Sequence, residues 1–226
     1  MCGRYSFAPK PKQIEAQLLE VQRPAVLRTS YNIAPTHIAY VLANDLPRQL
    51  QPMEWGLVPH WSAEGKNSGR LINARAEGIA EKPSFRIPVR MRRCLVPADS
   101  FYEWRNEPGG RKAPYRIFGK NGDLLFMAGI WDEWQQNAEQ KRTFSIITTA
   151  PNREMATLHN RMPAILTSLE TQQAWLSDLP VEEVMALLRP APDGMLEMYR
   201  VSEKLNRPGI DSEALHQQEP EPPTLF

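Results

Sequence analysis

The sequence predicts an α+β chain dominated by strand, folded as a single domain. Two observations carry that reading. Proline accounts for 21 of 226 residues, about 9% against a usual ~5%, and it is spread from Pro9 to Pro223. That distribution suits short strands and turns better than a helical bundle. Most segments with a clear pattern are also short, rich in strand formers and bounded by turn residues.

In chain order, PKPKQIEAQLLEVQ (9–22) sets Ile14, Leu18 and Leu19 near helical spacing after a proline and predicts a first helix. Strands are predicted for IAYVLA (38–43), a run ending at MEWGLV (53–58), RRCLVPA (92–98), APYRIFG (113–119), LLFMAGIWDEW (124–134), TFSIITTA (143–150) and MLEMYRVS (195–202). Asn121-Gly122-Asp123 lies between two of these and reads as a hairpin turn. Helix returns late, with Ser168 as cap for LETQQAWL and Pro180 in the first turn of VEEVMALL. No repeat and no Gly/Ser linker divides the chain. One domain is therefore expected over residues 1–210, with the polar, proline-rich end (211–226) as a flexible tail.

Composition narrows the function classes. Hydrophobic residues make up 42%, charged residues 23%, and the mean hydropathy is −0.48, as in ordinary globular proteins. No apolar run approaches the roughly 18 residues of a membrane span, and MCGRYSFAPKPK lacks the apolar stretch of a signal peptide. A cytoplasmic protein is expected. Two cysteines cannot build a disulfide framework. No metal-ligand spacing and no glycine-rich phosphate loop occurs, so neither metal nor cofactor is expected. The net charge of +1 conceals +9 over residues 1–120 and −8 over 121–226; the basic half suggests an anionic partner.

Four places could carry chemistry. Cys2 becomes the N-terminus once Met1 is removed, which the small cysteine side chain permits. One residue then holds an amine of reference pKa about 7.7 to 8.0 and a thiol of about 8.5. An aldehyde can condense with the amine, and the neighbouring thiol can close a thiazolidine; the thiol can also attack an acyl carbon. In LINARAE (71–77), Asn73 and Arg75 fall on one side of an extended segment, an amide next to a phosphate-binding guanidinium. In PADSFYEW (97–104), Glu103 is expected in a loop at a strand end, where flanking aromatics could raise its pKa for acid catalysis and stack on unpaired bases. In LHNRMP (158–163), His159 can shuttle protons near pH 7. Each also reads singly as structure: a frayed cysteine, a turn Asn, an exposed Glu among core aromatics, a structural His.

Taken together and in order, MCGRY (1–5), YNIAP (31–35), WGLVPHW (55–61), INARAE (72–77), RCLVPADSFYEW (93–104) and HNRMP (159–163) resemble the SRAP family, the SOS response-associated peptidase proteins. The resemblance implies a compact β-rich domain, its mixed and antiparallel strands forming a barrel-like core with a few flanking helices, that senses abasic sites in single-stranded DNA and links itself covalently to them. Cys2 would trap the ring-opened aldehyde as a thiazolidine. Asn73 would orient the N-terminus, Glu103 would act as general acid and base, and His159 would assist proton transfer. Arg75 and Arg161 match positions that hold phosphates, and Arg4 would add to that basic surface. Trp61 and Trp104 match aromatics that stack beside bases, and Pro35 lies in the binding edge. The partner implied is single-stranded DNA bearing an abasic site, bound by a monomer that joins the nucleoid when crosslinked. The alternative is a cysteine autopeptidase or amidohydrolase with Cys2 as nucleophile. SAEGKNSGR (62–70) and the chain after about residue 167 carry none of the motifs, and Cys94 reads as a small buried hydrophobe.

Overall fold

A computed structural model describes residues 2–66 and 69–220. Among the described residues there are twelve strands: β1 (Arg4–Phe7), β2 (Ser30–Ile33), β3 (Ile38–Ala43), β4 (Leu50–Trp55), β5 (Asn73–Arg75), β6 (Arg93–Ala98), β7 (Ser100–Asn106), β8 (Lys112–Gly119), β9 (Leu125–Gln136), β10 (Glu139–Thr149), β11 (Met162–Pro163) and β12 (Leu196–Arg200). One sheet is antiparallel, in the order β12-β8-β7-β1-β2. The other runs β11-β10-β4-β3-β6-β9, and its last strand pairs back to β10, giving a barrel-like wrap. The join is narrow where β10 meets β4 in parallel, with only Thr143–Glu54 and Phe144–Trp55 in register. β5 also runs parallel to β10. The α+β, strand-rich expectation matches this architecture.

The core forms where the sheets face each other. Tyr5 of the first sheet meets Trp55 of the second edge-on at 5.1 Å, and Trp55 stacks on Phe144 at 6.4 Å. Trp55 is fully buried, and its indole N–H donates to the Ile72 carbonyl at 2.9 Å, so its large apolar area is buried without stranding a donor. Cys94 is buried as expected. It lies opposite Gly129 on β9, where an added Cβ would come within 2.8 Å of its Sγ.

Several expectations hold in outline and shift in detail. The first helix covers only Pro11–Gln17; Leu18 turns into the core while Leu19 points to solvent. Ser168 caps Leu169–Leu176, its Oγ accepting from the Thr171 N–H at 3.2 Å, and Pro180 precedes Val181–Met185. At 121–123 the turn is real, but no hairpin follows. β8 is paired on both edges by β7 and β12, and β9 by β6 and β10, so the turn carries the chain from one sheet to the other. Glu103 sits within strand β7, not in a loop. Among the described residues, no helix is long and apolar enough to cross a membrane.

The expected tail is also partly folded. Residues 202–219 form a strap that covers the outer face of the first sheet. Leu205 and Leu215 are buried against Tyr102 and Val201, and the Tyr31 N–H donates to Asp211 Oδ1 at 2.6 Å. Glu213–His216 is one 3-10 turn, and Gln218 bridges to Val201. Polar composition concealed a buried leucine, Leu215. The last part of the expected tail, 221–226, lies outside the described residues.

His216 anchors the strap over a buried polar cluster: its Nε2 is 3.3 Å from Ser6 Oγ and 3.7 Å from Asp99 Oδ2, and Arg116 donates to Asp99 at 3.2 Å. Burial, then the Arg116 charge, lower the His216 pKa to about 4, with Asp99 opposing. The unfolded chain therefore takes up this proton first, near its ordinary value of about 6.5. The stability His216 contributes is complete above pH 6.5 and is lost as pH falls toward 4. Chemical denaturation at pH 7.5 and 4.5 should show a loss of about 2 kcal/mol from this group, and His216→Phe should remove that part of the slope. An unchanged slope would mean that the ring is solvated in the folded state.

Candidate active site

β1 is a central strand, flanked by β2 and β7, so its N-terminal end is held from both sides. The register Arg4–Tyr102 and Tyr5–Phe101, extended two residues toward the N-terminus, carries Cys2 alongside Glu103 and Trp104. Cys2 is fully buried. From the other sheet Asn73, the first residue of β5, reaches across and donates from Nδ2 to the Cys2 carbonyl at 2.8 Å. β5 is set by its parallel pairing with β10, Asn73 opposite Ile146, so the two sheets are stitched together at the nucleophile.

Glu103 is nearly buried and faces a cavity of about 390 Å³ that it shares with Trp104, Lys112, His159 and Asn206. His159 follows the short helix Arg153–Ala156, which Asn152 caps by accepting from the Met155 N–H at 3.0 Å. The Arg161 backbone N–H donates to His159 Nδ1 at 3.0 Å, so the neutral ring carries its proton on Nε2. The Cys2 thiol is pushed well above its ordinary pKa, first by burial and then by the Glu103 charge. At neutral pH it stays protonated.

The four candidate catalytic residues thus converge from β1, β5, β7 and the loop before β11. Around them the candidate DNA contacts divide. Arg161 holds Glu77 in a two-pronged pair, both bonds 2.8 Å, and also donates to the Thr148 carbonyl; its hydrogen bonds, against some desolvation, hold the Glu77 carboxyl below its usual range. Arg75 is exposed at the end of β5, beside Thr148 in register. Trp104 is half-buried, its Nε1–H donating to Asn206 Oδ1 at 2.8 Å. Pro35 sits just beyond β2 in a turn closed by His37 N–H to the Ala34 carbonyl at 3.1 Å, with Thr36 at φ 72°. Proline then left-handed geometry is the pattern of a type II turn, and a β-branched residue there stores strain.

Two candidates are placed differently. Arg4 is half-buried, and its Nη1 donates to Asn32 Oδ1 at 2.7 Å and to the Leu205 carbonyl at 2.9 Å, which puts it in the framework of the site, not on a phosphate surface. Trp61 is 58% exposed, on a loop fastened to Asp132 and Trp134 by His60 and Ser62. Those anchors lie toward the far end of β10, since Asp132 opposes Thr143 while Asn73 opposes Ile146. Motif reading missed Lys112 and Asn206. Lys112, after Arg111, opens β8 outside any motif, and Asn206 lies where no motif reaches.

The profile of the SOS response associated peptidase (SRAP) family matches residues 1–208. The chain belongs to that family. It is 38% identical over 221 residues to the abasic site processing protein YoqW of Bacillus subtilis, covering 95% of this chain and 98% of that one. It is 33% identical to the abasic site processing protein HMCES of Gallus gallus, over 83% of this chain and 66% of the relative. A crystal structure of a Bacteroides thetaiotaomicron protein superposes with a TM-score of 0.84 at 32% identity, over 96% of this chain and all of the other. A Bordetella bronchiseptica protein, 22% identical, shares the fold with a TM-score of 0.75.

Proposed function

We propose that this SRAP protein recognises abasic sites in single-stranded DNA and, once Met1 is removed, forms a thiazolidine crosslink through Cys2, shielding the lesion. The observation that carries the reading is the bond from Asn73 to the Cys2 carbonyl at 2.8 Å, with Glu103 brought alongside by the β1–β7 register and sharing its cavity with His159. Family membership and the names of the relatives support the same substrate.

The chemistry balances with these groups alone. Glu103 takes a proton from the Cys2 ammonium, freeing the amine to add to the C1′ aldehyde of the ring-opened sugar, and passes that proton to the departing hydroxyl, so that water leaves with formation of a C=N bond. The Cys2 sulfur then adds to that carbon, and its proton passes to Glu103. Overall, protein and DNA join with loss of one water. Asn73, bonded to the Cys2 carbonyl, keeps amine and sulfur aimed at the same carbon. His159, with its proton on Nε2, serves proton transfer at the sugar, including reversal. A thiol held protonated is no handicap here, because the amine attacks first. It is a handicap to the peptidase alternative, which needs the thiolate.

Arg75 and Arg161 take the phosphates that flank the lesion. The two-pronged Glu77 carboxylate stands where a phosphate would bind Arg161, and Glu77, being exposed, is readily displaced. Trp104 stacks beside the missing base, Trp61 on a base further along, and Pro35 borders the path. The same reading takes the protein to act as a monomer in the cytoplasm and to stay on the nucleoid while crosslinked.

The test is intact mass and a denaturing gel of wild type and Cys2→Ala, each mixed with an oligonucleotide bearing one abasic site. The expected product is a heat-stable species of protein without Met1 plus DNA less one water, absent from Cys2→Ala. Correctly processed wild type that forms no adduct would overturn the proposal.

A further inference from the structure

We propose that Asn206 is a positioning residue for DNA binding: held rigidly on the C-terminal strap, it fixes the Trp104 indole at the mouth of the cavity. The inference rests on the abasic-site reading for its functional consequence, but its geometry stands apart from it.

Trp104 follows Glu103 on β7, is half-buried, and lines the cavity that also holds Glu103 and His159. An indole turns about two side-chain torsions. To stack on a base without an ordering cost, it must be held before DNA arrives. The Nε1–H bond to Asn206 Oδ1 at 2.8 Å supplies that hold, provided Asn206 is itself fixed. The residues on either side of it are clamped. The Leu205 carbonyl accepts from Arg4 Nη1 at 2.9 Å and from Asn32 Nδ2 at 3.3 Å, and the same Nδ2 lies 3.2 Å from the Arg207 carbonyl and 2.7 Å from that of Ile210. Asn32 is fully buried, as is Leu205, which packs in one cluster with Tyr102. Asn206 also closes the 3-10 turn Glu203–Asn206, capped by Ser202. A chain of contacts therefore runs from Arg4, two residues beyond the nucleophile, through Asn32 and Leu205 to Asn206 and the indole. It gives the otherwise motif-free C-terminal strap a part in the site.

The test is a double-mutant cycle of Asn206→Ala and Trp104→Phe. Half-saturating concentration and saturated crosslinking rate are read with a single-stranded abasic oligonucleotide, and binding is read with the same oligonucleotide lacking the lesion. Asn206→Ala is expected to raise the half-saturating concentration about three- to tenfold, the worth of one hydrogen bond, with the saturated rate changed less than about twofold. In the Trp104→Phe background, where no indole N–H exists, the same substitution should add nothing. By NMR, the indole N–H signal missing from Trp104→Phe should exchange faster with solvent in Asn206→Ala. An effect that persists in the Trp104→Phe background would overturn the inference, since Asn206 would then touch DNA or serve the fold generally. So would wild-type DNA affinity in Asn206→Ala, or an unchanged indole exchange rate. Failure of wild type to crosslink would overturn the abasic-site reading instead, and the NMR result would still decide whether Asn206 fixes the ring.

Discussion

Glu103→Gln is expected to slow thiazolidine formation by about 10²- to 10⁴-fold, the usual contribution of a positioned acid–base group. The swap keeps shape and volume on β7, so stability should hardly change. Glutamine cannot protonate the departing hydroxyl, nor can it take the thiol proton when sulfur adds to the C=N carbon. The same change removes a negative charge that raises the Cys2 pKa. The thiol should therefore ionise at lower pH, and its alkylation by iodoacetamide should become faster as the crosslink becomes slower. Opposite signs in two assays separate lost acid–base chemistry from a collapsed site. Single-turnover crosslinking kinetics and an alkylation time course check both, and a normal crosslinking rate in Glu103→Gln would remove Glu103 from the mechanism.

Arg93→Met is expected to cost about 3 to 5 kcal/mol of stability, the range for breaking a buried charged network. Arg93 is almost entirely buried on β6, with the Trp175 ring 5.9 Å from its guanidinium. Its Nε donates to the Trp175 carbonyl at 2.7 Å, and its Nη atoms donate to the carbonyls of Val89, Arg90 and Ser177. Those carbonyls end two helices, Arg86–Met91 and Leu169–Leu176, that the guanidinium pins to the barrel. Methionine fills the volume but leaves buried acceptors without a donor. At 226 residues, the melting temperature should fall by about 10 °C. Arg93→Lys should restore little, because one ammonium cannot span four carbonyls with the planar fork. Calorimetry on the three proteins decides this, and a fall of under about 2 °C for Arg93→Met would show that the helices are held by packing alone.

Local pattern made much of this molecule legible. IAYVLA, RRCLVPA and APYRIFG are strands within a residue or so of their expected bounds, because β-branched and aromatic residues between turn residues have few other ways to be buried. Ser168 is legible as a cap because its hydroxyl needs only a backbone N–H three residues on. The short strands β1, β2 and β5 are harder to read, and β7 reads partly as a loop. β1 spans four residues and β5 three, and they exist because partners far along the chain pair with them. The 121–123 turn fails as a hairpin for the same reason: turn chemistry reports a reversal, not which strand lies beside which.

The candidate catalytic residues Cys2, Asn73, Glu103 and His159 are visible as ordered motifs, and their chemistry follows from residue type. What the sequence by itself determined was the strand-rich class, the helix caps, the family resemblance and which side chains could react. Only the tertiary structure decided that Asn73 reaches the Cys2 carbonyl, that burial holds the thiol protonated, that Arg4 braces the strap, and that residues 202–219 fold over the sheet to bring Asn206 to Trp104. The physical reason is range. Propensity and capping act over three or four residues, whereas desolvation and the Arg4–Leu205 bond join positions 201 apart in sequence that only the closed fold makes neighbours.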